Sequence, residues 1–287
     1  MKKILNNLSK VISTKTLSEI AKKRLKRDLE TIRERIQKNE YESSGIVFNT
    51  FDVPDKTQQF LSHLKTYSEI GNTWALILNS LPVHEYKNVL DLCPGFTPKI
   101  ELALFYIKFK GEVTILDNEQ ESINRVTDFS KLIRPEFKIT SYRHNLFTTS
   151  KKKFPFIIGN HIIDDLILFY FMGKNHLRLK DLYEKEHILI KTWERIYKNK
   201  KQNLQEISDK LTQIFINLVS NDGYLCLSQY RSYLEKMLNL DQAFLFTKKV
   251  CSKIENNLLK NGFTKIPIND MGHNCYFNST DVIVLKK

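Results

Sequence analysis

From Asn88 onward, short apolar runs alternate with longer segments of helical periodicity, and this alternation constrains the chain more than any other feature. Short, mostly apolar runs without polar alternation, such as Asn88–Cys93, suit strands buried on both faces, so they belong in a parallel sheet covered by helices on both sides. The pattern predicts strands at 88–93, 112–117, 137–142, 156–160 and 224–228, with paired strand candidates at 263–268 and 280–285. Helices are predicted over 98–109, 119–133 and 241–260. The expected architecture is an α/β sheet of about seven mostly parallel strands with helices on both faces. The interval from Asp165 to Asp222 is long for one crossover connection, so a helical insertion is expected at about 169–220.

Ahead of this pattern, Leu17, Ile20, Ala21, Leu25, Leu29, Ile32 and Ile36 recur at helical spacing within residues 1–40. A second helix is predicted from Asp55, an N-cap after Pro54, to Leu81, with Phe60, Leu64, Tyr67, Ile70, Trp74 and Ile77 on one side. Residues 1–81 therefore read as an N-terminal helical extension or cap, and residues 82–287 as the main domain. Tyr67 and Trp74 read as core residues that also lie close in sequence to the first strand.

The chain carries 45 Lys and Arg against 32 Asp and Glu, and residues 1–40 hold twelve of these cations against five acids. That basic helix is a candidate contact for RNA, because neutralising phosphate supplies affinity without sequence readout. A second basic stretch, Lys191 to Lys201, interleaves cations with Trp193 and Tyr197 in a manner that can also meet RNA. The most apolar segment, Ile162 to Met172, is interrupted by Asp164 and Asp165, so no membrane span is expected. Met1-Lys2-Lys3 is not followed by a continuous apolar run, and no secretory signal is expected. Cys93, Cys226, Cys251 and Cys275 form no Cys-x-x-Cys pair, so reduced thiols and a cytoplasmic setting are expected. The histidines show no metal-ligand spacing, and no metal is expected.

In an open parallel sheet, ligands bind beyond the C-terminal strand ends where the winding reverses. The first strand ends in Asp91-Leu92-Cys93-Pro94-Gly95-Phe96-Thr97, an acid followed by a tight turn that opens a helix. The second ends in Asp117-Asn118, an acid placed about 22 residues after Gly95, where it can accept hydrogen bonds from both hydroxyls of a ribose. A dinucleotide cradle needs Gly-x-Gly-x-x-Gly so that backbone amides approach a pyrophosphate, and only Gly95 of that set is present. The chain has nine glycines in all. A nicotinamide dehydrogenase is therefore the poorer option, and a phosphate-free cofactor suits the turn better.

The stretch from Asn88 to Asp165 resembles the class I S-adenosylmethionine-dependent methyltransferases, a Rossmann-like superfamily, with Cys93 and Thr97 in place of two turn glycines. The resemblance implies S-adenosylmethionine as cofactor. It implies that Asp91, Pro94 and Gly95 cradle the methionine part, that Asp117 with Asn118 holds the ribose, and that Asn145 and Leu146 lie at the adenine. Gly159-Asn160-His161 would border the sulfonium and the acceptor, making Asn160 and His161 the candidate catalytic residues. The Asn- or Asp-Pro-Pro-aromatic motif of some amino methyltransferases is absent there. A histidine can serve as general base at neutral pH, and Asp164 and Asp165 can cap the helix that follows. The expected reaction is in-line displacement of a sulfonium methyl by an O or N acceptor, with positioning and water exclusion supplying most of the rate. The alternative is a non-catalytic Rossmann-like basic module that binds nucleic acid or a protein partner.

Overall fold

The computed structural model describes residues 5–6, 9–10, 23, 26–27, 29–30, 33–34, 56–133, 135–148, 152–172, 186–268, 271 and 275–287. Most of the basic segment 1–40, and with it the proposed RNA contact, lies outside the described residues, as do Asp55 and residues 173–185 of the expected insertion. Of the N-terminal residues described, Leu5 and Leu29 are buried in the core.

Seven strands form one sheet: β1 (Asn88–Leu92), β2 (Glu112–Asp117), β3 (Lys138–Arg143), β4 (Phe154–Asn160), β5 (Val219–Ser228), β6 (Thr264–Lys265) and β7 (Val282–Lys286). Their order is β3-β2-β1-β4-β5-β7-β6. The pairings β1–β2, β2–β3, β1–β4 and β4–β5 are parallel, whereas β7 runs antiparallel to β5 and β6. The winding reverses between β1 and β4, where Leu90 and Asp91 pair with Ile157 and Ile158.

The eight helices named here are α1 (Lys56–Asn79), α2 (Lys99–Tyr106), α3 (Gln120–Ile133), α4 (Ile163–Met172), α5 (Glu186–Lys198), α6 (Lys200–Leu218), α7 (Tyr233–Met237) and α8 (Asp241–Lys260). Alternate residues of the strands feed two cores. Val89, Val113, Phe156, Ile158 and Cys226 face a cluster with α1 and α2, while Leu90, Leu116, Ile157, Leu225 and Leu285 face one with α4, α5, α6 and α8. Burial on both faces explains why β1, β2, β4 and β5 read as mostly apolar runs, whereas β3, at the sheet edge, is polar and largely exposed.

Helix α1 is an integral part of the first layer, with Leu64, Tyr67, Ile70, Trp74, Ile77 and Leu78 in the same cluster as the sheet. It approaches α2 closely at Gly71, where an added Cβ would lie 2.9 Å from Leu102 Cβ and 3.2 Å from the Lys99 carbonyl oxygen. In the 191–201 stretch, Trp193 is buried and Tyr197 stacks on it, both against Phe246, whereas Lys191, Lys198, Lys200 and Lys201 face solvent. Trp193 is thus a core ring and Tyr197 is part-buried against it, while the cations line an exposed helix face. Among the described residues no helix is long and apolar enough to cross a membrane.

Candidate active site

The turn after β1 is where a cradle was expected. Cys93 donates its amide to the Leu116 carbonyl at 2.8 Å and takes a left-handed φ of 51°, and Gly95 takes φ 65°. The motif this turn resembles has glycine at the Cys93 position, and Cys93 adopts the backbone conformation that glycine favours. A Cβ on Gly95 would meet nothing within 4 Å, so the turn opens into free space on that side. Pro98 then precedes α2, and Lys99 and Glu101 occupy its first turn.

Acids converge on this turn. Asp91 and Glu101 are both 0% exposed, and no donor reaches any of their four carboxyl oxygens. The two carboxyls face each other, and burial with mutual repulsion raises Asp91 well above the usual carboxylate range, while burial pushes Glu101 up to about 7. Asp117, at the end of β2, accepts the Glu119 amide at 2.9 Å and lies within reach of the Gly95 and Asn118 amides. Burial nonetheless lifts its carboxyl to about 6. The Cys93 thiol is raised well above its ordinary value by burial and by Asp117, Asp165 and Asp91. Lys99 is lowered by burial, against the pull of Asp165, Asp91 and Asp164. The strand ends thus surround the turn with negative charge.

Asn118 is half-buried, and its carbonyl accepts the Arg143 side chain at 3.1 Å. Asn145 closes a turn after β3, its side-chain oxygen accepting the Phe147 amide at 2.9 Å, and Leu146 is buried beside Leu116. The structure therefore gathers Asp91, Pro94, Gly95 and Asp117 at one place, and Asn145 and Leu146 at the end of the neighbouring β3.

Beyond β4, Asn160 is buried and heavily bonded. Its oxygen accepts from Trp74 Nε1 at 2.8 Å and Ser228 Oγ at 3.2 Å, and its amide donates to the Tyr230 hydroxyl at 3.2 Å. His161 follows in a left-handed conformation, φ 55°, with its amide on the Ser228 carbonyl. Its Nδ1 lies 3.3 Å from Asp164 Oδ1 and its Nε2 3.5 Å from Glu235 Oε2. These two carboxylates outweigh burial and raise the imidazole's pKa well above its ordinary value, favouring the charged ring. Asp164 also accepts from Gln229, whose carbonyl takes the Ile163 amide and so satisfies the start of α4. Asp164 and Asp165 sit within the first turn of that helix, and Asp164 faces His161.

His161, Asp164 and Glu235 place ligand-type atoms within 4.8 Å of one another, a donor set able to hold a metal ion. The sequence reading missed this group because Glu235 arrives from α7. Its local signal was the Ser232-x-x-Glu235 capping box, which the structure forms, Ser232 Oγ accepting the Glu235 amide and Glu235 accepting the Ser232 amide. Gln229, Tyr230 and Glu101 were likewise unmarked in the sequence, as single polar residues in or beside apolar runs.

No family model matches the chain, and no curated protein matches it. Solved structures similar to it include magnesium protoporphyrin IX methyltransferase from Synechocystis PCC 6803 with bound SAH, at 12% identity over 88% of this chain and 99% of that one, with a TM-score of 0.45. The pyocyanin biosynthetic protein PhzM matches at 14% identity over 91% and 68% of the two chains, with a TM-score of 0.48. A third, PH0851, matches at 14% identity over 77% of this chain with a TM-score of 0.46, and this chain spans 46% of its length. Seven strands in the order β3-β2-β1-β4-β5-β7-β6 with β7 alone reversed against β5 and β6, and an acid-ended turn opening the first crossover, define a doubly wound, Rossmann-like α/β fold.

Proposed function

We propose that the chain transfers a methyl group from S-adenosylmethionine to an O or N acceptor. The observation that carries this reading is the sign of the charge around the cradle. Asp91, Asp117 and Asp165 all act on Cys93, and Lys99 is the cation among them. A pyrophosphate brought to this turn would meet like charge, whereas a sulfonium cofactor without phosphate would meet opposite charge. The open side of Gly95 leaves room for the methionine part, and Asp117 offers a carboxylate to the ribose hydroxyls with Asn118 beside it. Leu146 supplies an apolar wall, and Asn145 an amide, for the adenine.

When bound, the cofactor supplies the electrophilic methyl; the chain's own residues bind, orient and exclude water. Asn160 is a positioning residue in this reading, since Trp74, Ser228 and Tyr230 already engage its side chain and fix the end of β4. His161 holds its proton between Asp164 and Glu235, and neither ring nitrogen is free to take one from a substrate. Acceptors that need no enzymic base, an amine or an oxygen already ionised, suit such a site.

The test is calorimetric titration of the full chain with S-adenosylmethionine and S-adenosylhomocysteine, followed by a screen with labelled cofactor against small-molecule, RNA and protein pools. Binding that Asp117→Ala weakens supports the proposal. If neither ligand binds at about millimolar concentration, the proposal fails and the non-catalytic binding module becomes the better account.

A further inference from the structure

We propose that Asp91 and Glu101 share a proton beneath the cradle and release it when a cationic ligand occupies the turn, so that cofactor binding and deprotonation of the pair are one event. The inference rests on the cofactor reading above and concerns a residue, Glu101, that no cofactor motif marks.

The geometry sets the problem. Asp91 is the penultimate residue of β1, two before Cys93, and Glu101 projects from the first turn of α2, so the pair joins the two elements that flank the turn. Both residues are 0% exposed, and all four oxygens lack a donor. Two ionised carboxylates in contact, buried and without a hydrogen bond from a neighbouring residue, repel each other with little compensation from the protein. A single proton held between them removes one charge and supplies the missing hydrogen bond, as in other paired carboxyls.

The surrounding groups leave the pair short of positive charge. Asp117 faces Asp91 from β2 and raises it further; Lys99, from α2, is the one cation acting on it and is itself engaged by Asp165 and Asp164 of α4. Behind α2, the Tyr106 hydroxyl is bonded to Ser68 of α1, and both are neutral. A positive group arriving at the Cys93–Gly95 turn adds the missing countercharge. The pair then loses its proton to solvent, leaving two carboxylates opposite the bound cation and Lys99.

Three ligands with the same adenosine portion separate the causes. S-adenosylmethionine carries a sulfonium together with an α-ammonium and an α-carboxylate, S-adenosylhomocysteine the ammonium and carboxylate without the sulfonium, and 5′-methylthioadenosine none of the three, so the ammonium is the positive group the first two share. Calorimetry of the full chain near neutral pH, in buffers of different ionisation enthalpy, counts protons released on binding. About one proton is expected for each of the first two ligands and none for the third. The ratio of the methylthioadenosine to the homocysteine dissociation constant is expected to rise by up to about tenfold per pH unit while the pair is protonated. Asp117 titrates in the same region but serves the ribose of all three ligands, so it cancels in the ratio. Glu101→Gln should abolish the proton release while homocysteine-ligand binding persists.

Homocysteine-ligand binding without proton release, or equal release by methylthioadenosine, overturns the proposal. Should Glu101→Gln fail to fold, the buffer comparison on the unaltered chain decides the matter alone. Binding of none of the three ligands refutes the cofactor reading itself, a result distinct from binding without proton release.

Discussion

Replacing Asp117 by Asn should make the free protein more stable while weakening its hold on the cofactor. Asp117 is 6% exposed, and its carboxyl titrates at about 6 against an ordinary value of 3.8. Folding therefore takes up a proton between these values, so Asp117's contribution is most favourable below the lower one and is lost as pH rises through the upper. A displacement of about two units, at roughly 1.4 kcal/mol each, makes the ionised side chain cost about 3 kcal/mol in the folded state. Asn keeps one oxygen for the Glu119 amide and forfeits about one amide-to-oxygen bond, near 1 kcal/mol. The net gain is about 2 kcal/mol above neutrality, or roughly 4–8 °C in Tm for a chain of this size. Near about pH 4 the gain should vanish, because the native side chain is then protonated. The same change removes a charged acceptor from the ribose, which should weaken S-adenosylhomocysteine by about 10- to 100-fold. Thermal denaturation of both proteins at acid and alkaline pH, with a titration at the latter, measures all of this. Equal destabilisation at both pH values would refute the burial argument, and unchanged affinity would refute the ribose role.

Glu235→Gln preserves the capping box but removes the charge facing His161 Nε2, so the imidazole's titration midpoint, read by NMR, should fall. Because His161 is raised in the folded protein, its stabilisation is full below about pH 6.5 and lost as pH rises through the raised value; the variant should lose about 1–3 kcal/mol at mildly acid pH. An unmoved midpoint would contradict the clamp. Gly71→Ala adds a methyl 2.9 Å from Leu102 Cβ, and overpacking of about 1–3 kcal/mol should outweigh a helix-propensity gain of about 1 kcal/mol; a variant more resistant to denaturant would show that α1 and α2 have room to part. Trp74→Phe leaves Asn160 without its shortest bond and should cost about 2–3 kcal/mol in chemical denaturation. A cost below about 0.5 kcal/mol would mean that the bond contributes little to fixing β4.

The strands that pack on two helical layers were legible because most of the side chains between those layers are apolar. β2 was read at its observed bounds, 112–117, and β1 to within one residue. The misreadings fall where local signals compete with pairing. Asn221-Asp222-Gly223 looks like a turn, and Asp222 does take a left-handed φ of 59°, but β5 continues through it because β4 shifts register between Phe154 and Phe156 opposite. The last two strands contract to Thr264–Lys265 and Val282–Lys286, since the 280–281 region forms a 3-10 turn capped by Asn278 and Asp281. The half of the site on β1 and β2 was legible because its residues lie close in sequence, on turns with recognisable chemistry. The other half was hidden because it is assembled across the chain: Trp74 meets Asn160, and His161 meets Glu235. His161 itself was visible, but the second carboxylate that changes its protonation state was not.

The reversal between β1 and β4 also has a bearing on how the polypeptide acquires its site during synthesis. A nascent chain that has completed β3 already contains Asp91, Gly95, Asp117 and Asn145, yet β4, the second of the two strands that pair with β1, has still to emerge. Until β4 docks, the inner edge of β1 presents unpaired amides and carbonyls, a template for pairing with other chains. Further partners of Asn160 and His161, namely Ser228, Tyr230 and Glu235, follow later still, with β5 and the segment into α7. Closure of this non-local seam is thus the step at which a translated chain passes from aggregation-prone to complete, and termination between β3 and β4 should yield insoluble fragments and not a small cofactor-binding domain.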